Sequence, residues 1–531
     1  CDLCDTPKSA YWRCDSCQCN RDLCTPCIRK THMPTPYHRV RYYEEHQYRE
    51  AWLRDAGVFI QLCPRGSSGP FSMDDPDDDV WPDEMRGGEM DEGEAEARLR
   101  DNGEGEELGE GIARKRGKEA KIDKDPWGYD VMVIVHEVDI HQIGVAYCKC
   151  QAGAGLLPYD EQLLRYGGLM PVTTKNPETC FTLRGLAYHQ MDRLVGKITP
   201  WAKMRKLRRH TNPLHPSTVA DRYAESLRIM REYPAIDNLI VHGFAHQPED
   251  KWKPPPPGKL MHGCITCPVA ENLPKGYAKD KDSWAFFYSL AHDGNFSAQH
   301  TVSRQPGNNV PLFPGTGAFQ DPVSMKEDLA SMKSDQDVKK PCHKHQAAAL
   351  TGKTRNKITD IKGIGAWACA RHGCFCRGGT CNYLLGEASN PADVALNNVF
   401  KINTDAELID RIQLLYDIWC RYGAHLRERF DGSPNVSWPK FREVMGGVGV
   451  WHIYGHIFQC YGRWSNLYAR HCGIVDGEIL ETLWSVLNQI LESCRGMSLA
   501  NREEVITMFQ SDSNLRKTLN MGARFTSSPS R

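Results

Sequence analysis

The feature that most constrains this chain is its opening run of metal-ligand residues, Cys1-x2-Cys4-x9-Cys14-x2-Cys17-x6-Cys24-x2-Cys27-x4-His32-x5-His38. Thiolate sulfur and imidazole nitrogen are the ligands of closed, tetrahedral zinc sites, and a CxxC pair comes from a tight turn that puts two sulfurs on one side. Eight such ligands suffice for two sites. A segment of about 40 residues buries too little apolar surface to fold unaided, so zinc would supply the folding energy. Paired spacing and two downstream histidines argue against a disulfide scaffold. Cys19 is left over, as a free thiol or an alternative ligand. A closed site has no open position for catalysis, so the module is expected to bind protein or DNA.

The spacing resembles a B-box-type zinc finger, in which alternate pairs share a metal. That resemblance implies Cys1, Cys4, Cys24 and Cys27 at one site, and Cys14, Cys17, His32 and His38 at the other.

A chain of 531 residues has room for three or more domains. Its formal charge of -1 provides no global basic field, so any DNA-binding surface must be local. The 22 cysteines cluster beside histidines, which fits a reducing compartment, and the nucleus is the expected location. No apolar run approaches the roughly 18 residues of a membrane span, so no membrane association is expected. The chain opens on Cys1, not on methionine, and its natural start is expected upstream.

An α+β multidomain organisation is expected. Residues 1–63 hold the zinc module and a stretch (Tyr42 to Leu62) whose Trp52, Leu53, Phe59 and Ile60 offer a packed face. Residues 64–125 read as a disordered acidic linker, closing on a basic run (Arg114, Lys115, Arg116, Lys118, Lys121) that is either a nuclear localisation signal or a solvated tail. Residues 126–183 open on a β-hairpin ending at Cys148 and Cys150. Residues 184–257 are helical and include "KMRKLRRH" (Lys203 to His210), a basic cluster for DNA phosphates or for solvent. Residues 258–519 carry further core strands, a polar insertion (Ser303 to Pro341) and a mainly helical end from Trp438; residues 520–531 are expected to be a disordered tail.

Other metal ligands stand in looser patterns. His452, His456 and Cys460 recur at four-residue intervals, so one helix could aim all three at a metal, joined by His471 or Cys472. Ile453 occupies the place of a zincin's catalytic glutamate, which excludes that chemistry. Cys148 and Cys150, with His141 and His136 or Cys63, form another candidate, as do Cys264 and Cys267; each has the plain alternative of buried cysteine. His372 is either a core histidine or a neighbour of the acids described next.

Asp293 follows the apolar run "FFYSLAH" and Asp417 follows "QLLY", so both fall at strand ends, where neighbouring parallel strands can bring two acids together. Glu478, Glu481 and Trp484 recur at three-residue spacing on a helix-forming run. Taken singly, an aspartate after a strand is more often a turn or capping residue. The wording around the acids adds more. "DGNF" (Asp293 to Phe296), "CARHG" (Cys369 to Gly373), "YDIWC" (Tyr416 to Cys420), "GHIFQC" (Gly455 to Cys460) and "DGEILETLWSVLN" (Asp476 to Asn488) resemble, in order and context, the Kyakuja-Dileera-Zisupton (KDZ) transposases. "IHQIGVAYCKC" and "LLRYGGLMPVTTKNPETCFTL" resemble the CxC-type cysteine cluster that accompanies them.

This resemblance implies an RNase H-like α/β catalytic core with a helical insertion, and an Asp/Asp/Glu site of Asp293, Asp417 and Glu481, with Glu478 the alternative one turn earlier. It also implies Mg2+ or Mn2+ as catalytic ion beside structural Zn2+, DNA (transposon ends and target) as partner, and a homo-oligomer as an option. "GEASNPADVALNNVF" keeps Gly386 and Glu387 of the family's pattern but lacks its aspartate–tyrosine pair, so no role is assigned there. Two other outcomes stand beside a DNA-cleaving, strand-joining transposase: a catalytically inactive, recruited descendant that binds DNA or chromatin through zinc, and a ubiquitin-system scaffold. The scaffold is disfavoured by the lack of a RING-type module or coiled-coil heptads.

Overall fold

Short β-prone runs between the cysteine pairs build the first sheet. The computed structural model describes residues 1–4, 11–18, 20–63, 124–149, 157–269, 273–276, 286–303, 305–332, 358–384, 386–404, 409, 411–469, 475 and 477–527. Strands β1 (Trp12–Cys14), β2 (Asp22–Leu23), β3 (Val40–Glu44) and β4 (Gln47–Ala51) form an antiparallel sheet of order β2-β1-β3-β4. The helix Thr25–His32 starts on Pro26 in its first turn, where a missing N–H costs nothing. Trp12, Ile28, Val40 and Leu53 fill the small core. The Tyr42–Leu62 stretch is thus mainly strands, and its last one, β5 (Phe59–Gln61), leaves this sheet for the next.

The second sheet has order β5-β7-β6-β9-β8, adding β6 (Asp130–Val135), β7 (Ile140–Ala146), β8 (Leu169–Pro171) and β9 (Thr179–Thr182). The expected hairpin is β6–β7, antiparallel and closing at Val135 opposite Ile140. Met132, Ile134, Ile143, Val145 and Leu163 pack beneath it. The expected helical region comprises Leu183–Leu194, Pro200–Thr211 and the start of Tyr223–Val241. Within "KMRKLRRH", Lys203 points inward: it is buried, and its Nζ lies 2.6 Å from Asp192 and donates to the Glu137 carbonyl at 3.1 Å. Arg205, Lys206 and Arg209 remain exposed.

The chain clusters as two units, Cys1–Met230 and Arg231–Arg531. The second centres on a mixed sheet of order β14-β13-β10-β15-β16: β10 (Tyr288–Asn295), β13 (Gly363–Cys369), β14 (Phe375–Tyr383), β15 (Arg411–Tyr416) and β16 (Glu443–Gly447). Strands β11 (His300–Thr301) and β12 (Thr359–Ile361) pair separately. Strand β10 runs antiparallel to β13 and parallel to β15, which is parallel to β16. Alternation along β10 assigns its two faces. Tyr288 and Leu290 join Trp367, Leu396 and Leu414 in the core, whereas Asp293 and Asn295 meet Trp484 and Asn488 of the helix Ile479–Cys494. That helix buries the stripe Leu480, Leu483, Trp484, Leu487, Leu491.

The end from Trp438 is mainly helical, as expected, after opening on one strand, β16, whose "EVMGG" run completes the sheet beside β15. Two expectations need correction. The helix Leu499–Ser527 continues through positions 520–527, where a disordered tail was expected; Pro529 is the first residue beyond it that forbids a helix. The segment His452 to Cys460 is not one helix. A 3-10 turn, His452–Gly455, ends at His456 in extended conformation, and a separate helix spans Phe458–Trp464. Cys19, Cys150, His471, Cys472, positions 64–123 with the basic run, and positions 528–531 lie outside the described residues.

Candidate active site and metal-ligating clusters

At the N-terminus the sheet and helix bring Cys1, Cys4, Cys24 and Cys27 into one group and Cys14, Cys17, His32 and His38 into another; within each, the ligand atoms all lie within 4.8 Å of one another. Cys17 Sγ stands 3.4 Å from His32 Nε2 and 3.5 Å from His38 Nδ1. His32 Nδ1 lies 3.0 Å from the Ile28 carbonyl and can donate to it, which leaves Nε2 as the lone-pair nitrogen facing the thiols. Burial holds both imidazoles below their ordinary pKa, in the neutral form that binds metal. These clusters are compatible with zinc.

The looser patterns resolve differently. Cys148 Sγ lies 3.4 Å from Cys63 Sγ, while His141 is buried among Tyr37, Trp52 and His136. Cys420, His456 and Cys460 form a group, with Cys420 Sγ 3.5 Å from His456 Nδ1. Cys420, in "YDIWC", is the ligand that spacing missed. His452 stays outside this group, because the extended backbone at His456 breaks the four-residue repeat; its Nδ1 lies 3.5 Å from Glu478. Cys264 and Cys267 meet Cys369 and His372.

The acids converge at the sheet. Asp293 sits near the end of β10 and Asp417 directly follows β15; the parallel register pairs His292 with Tyr416, so the two acids are the next neighbours along it. A third carboxylate comes from outside the expected set. Glu387 follows β14, and ligand oxygens of Asp293, Glu387 and Asp417 lie within 4.8 Å of one another. Gly386 makes this possible with φ +113, a conformation only glycine enters readily, on the approach to the helix Ser389–Ile402. The only sequence signal was the Gly386–Glu387 pair before a helix-forming run.

Asp293 Oδ1 accepts the Gly294 N–H and Oδ2 accepts the indole N–H of Trp484, each at 2.8 Å. Burial, then the charges of Asp417 and Glu481, push its pKa up to about 7. Burial, then Asp417, push Glu387 up to about 8, although Tyr416 donates its hydroxyl to Glu387 Oε1. Like charges crowded in a partly dry site hold protons that a divalent cation would replace. Glu481, in the first turn of Ile479–Cys494, is largely solvent-exposed and acts on Asp293 through its charge; it is not within the close carboxylate group. Glu478 turns away: its Oε1 accepts the backbone N–H groups of Trp451 at 2.6 Å and His452 at 2.9 Å, tying the 3-10 turn to the helix start.

Beneath the acids, His292 is fully enclosed, its Nε2 2.8 Å from the Tyr383 hydroxyl and its ring against Trp367 and Tyr416. Burial pushes its pKa down to about 3, so it stays neutral. Among the described residues, no helix is long and apolar enough to cross a membrane.

No curated protein and no solved structure matches the chain. Residues 286–514, which contain Asp293, Glu387, Asp417 and Glu481, match the Kyakuja-Dileera-Zisupton transposase family. Residues 112–215 match the CxC2-like cysteine cluster associated with KDZ transposases. With both parts present in sequence order, the chain belongs to the KDZ transposase family.

Proposed function

We propose that the protein is a DNA transposase whose phosphodiester chemistry takes place at Asp293, Glu387 and Asp417, with Glu481 flanking them. The observation that carries this reading is the meeting of three carboxylates from separate strand ends within 4.8 Å. The sheet supports an RNase H-like core: the antiparallel pair β13 and β14 lies on one side of β10, and β15 and β16, both parallel to it, lie on the other, with Asp293 on β10 and Asp417 directly after β15. The short helical turns between β16 and the helix Ile479–Cys494 stand where the insertion is expected.

Mg2+ or Mn2+ bound there would stabilise the charge on the reacting phosphate and lower the pKa of the attacking water or 3′-hydroxyl. The chain's own part is positional. Trp484 and the Gly294 N–H orient the Asp293 carboxylate, and Tyr416 orients Glu387. Exposed Glu481 stands on the solvent side, where a DNA strand can reach. DNA is the partner proposed from the family, the nucleus the proposed location, and zinc-held N-terminal modules the proposed means of docking; assembly as a homo-oligomer would let one complex hold both transposon ends.

Purified full-length protein should nick supercoiled DNA in Mn2+, and Asp293→Asn and Asp417→Asn should lower the rate by about 100-fold or more while leaving zinc content and circular dichroism unchanged. Equal nicking by both variants would refute the assignment. Zinc-dependent, salt-sensitive DNA binding without nicking under any divalent ion would favour a recruited DNA-binding descendant.

A further inference from the structure

Two stretches about a hundred residues apart meet in the second unit. Cys264 and Cys267 precede β10, Cys369 ends β13 and His372 lies in the turn after it; their ligand atoms all lie within 4.8 Å of one another. Cys264 Sγ is 3.4 Å and Cys369 Sγ 3.2 Å from His372 Nδ1. Bond lengths of about 2.3 Å to sulfur and about 2.0 Å to nitrogen give tetrahedral sulfur–nitrogen edges of about 3.5 Å, so the quartet has the size of a zinc shell.

We propose that Cys264, Cys267, Cys369 and His372 form a Cys3His structural zinc site inside the transposase core. The backbone around it is arranged for a thiolate. The His372 N–H lies 3.4 Å from Cys369 Sγ as its donor, and the turn is closed by the Gly373 N–H to the Cys369 carbonyl and the Cys369 N–H to the Cys374 carbonyl, both at 2.8 Å. Gly373 has φ +66, and a Cβ there would stand 2.9 Å from Ile479. The turn can therefore reverse tightly and present Cys369 and His372 on one side. Three thiolates and an imidazole select zinc over the hard cations suited to the carboxylates. Cys267 and Cys369 are buried with Tyr288 in the sheet's core, so the metal would pin the segment before β10 to the β13–β14 turn. Cys369 pairs with Leu290, three residues before Asp293 on the same strand, and the zinc would fix that end of the sheet. The site is independent of the chemistry proposed at the acids.

The test uses full-length protein and zinc measured by elemental mass spectrometry. Cys264→Ser and Cys369→Ser should each lose one equivalent relative to the unsubstituted chain, and Cys4→Ser should lose a different one, additively. Cys374→Ser, outside the quartet, should lose none, and His372→Cys should retain the metal. In the unsubstituted protein, Cys264, Cys267 and Cys369 should resist N-ethylmaleimide until a chelator is added and then react together, a readout that survives even if the serine variants do not fold. Unchanged zinc in folded Cys369→Ser, equal alkylation of the three thiols with and without chelator, or a disulfide among them would overturn the proposal.

Discussion

The indole N–H of Trp484 donates to Asp293 Oδ2 at 2.8 Å, joining the helix Ile479–Cys494 to the central strand at the acid around which the others gather. A donor to the charged form favours that form and offsets part of the rise caused by burial. In Trp484→Phe, which keeps an aromatic ring against Phe375, the Asp293 pKa should climb further. The pH midpoint for Mn2+ binding, measured by calorimetry between pH 6 and 9, should move to higher pH by roughly one unit.

The raised carboxyls also set a pH dependence of stability. Asp293 at about 7, Glu387 at about 8 and Glu503, pushed by burial to about 7, bind protons in the folded chain that the unfolded chain releases near pH 4. Their contribution is therefore present at the acid side and lost as pH rises through 7 to 8. Without divalent ions, the thermal midpoint should be lower at pH 8.5 than at pH 6.5. Mg2+ should restore it, and Asp293→Asn should flatten the slope; differential scanning fluorimetry reads all three.

Among the acids, the geometry ranks the substitutions. Of the three glutamates, Glu387→Gln should cost the most Mn2+ affinity, about tenfold or more, and Glu481→Gln less, since its side chain is largely in solvent. Glu478→Gln keeps an acceptor for the Trp451 and His452 N–H groups and should leave nicking close to that of the unsubstituted protein. A larger loss in Glu478→Gln than in Glu387→Gln would reverse the ranking.

Away from the site, Arg429 and Asp393 form a buried two-point ion pair, with Nε to Oδ2 at 2.5 Å and a second nitrogen to Oδ1 at 3.1 Å. Asp393 is 0% exposed, so Arg429→Ala would strand its charge. A loss of about 3–5 kcal/mol in the urea unfolding of the second unit is expected.

Much of this was legible in the sequence where the cause is local. Paired cysteine spacing carries its own geometry because a CxxC turn fixes two sulfurs at once. Asp293 and Asp417 could be placed together because each ends an apolar run, and parallel neighbours put such ends side by side. Glu387 was not legible: its position depends on the Gly386 turn and on β14 packing at the sheet edge, neither of which has a period. The same holds for Cys420, which joins His456 across 36 residues, and for His372, which joins Cys264 across 108. His452 illustrates the converse, since a four-residue repeat aligns ligands only while the helix continues, and here it stops at His456.

Whether separate strand ends build one divalent-cation site is read by titrating Mn2+ into zinc-loaded, full-length protein at pH 8 and counting tightly bound ions by electron paramagnetic resonance. Saturable binding is expected in the unsubstituted chain, lost in Asp293→Asn and in Asp417→Asn with the zinc content intact. Mn2+ binding of equal strength and number in all three proteins would contradict such a site.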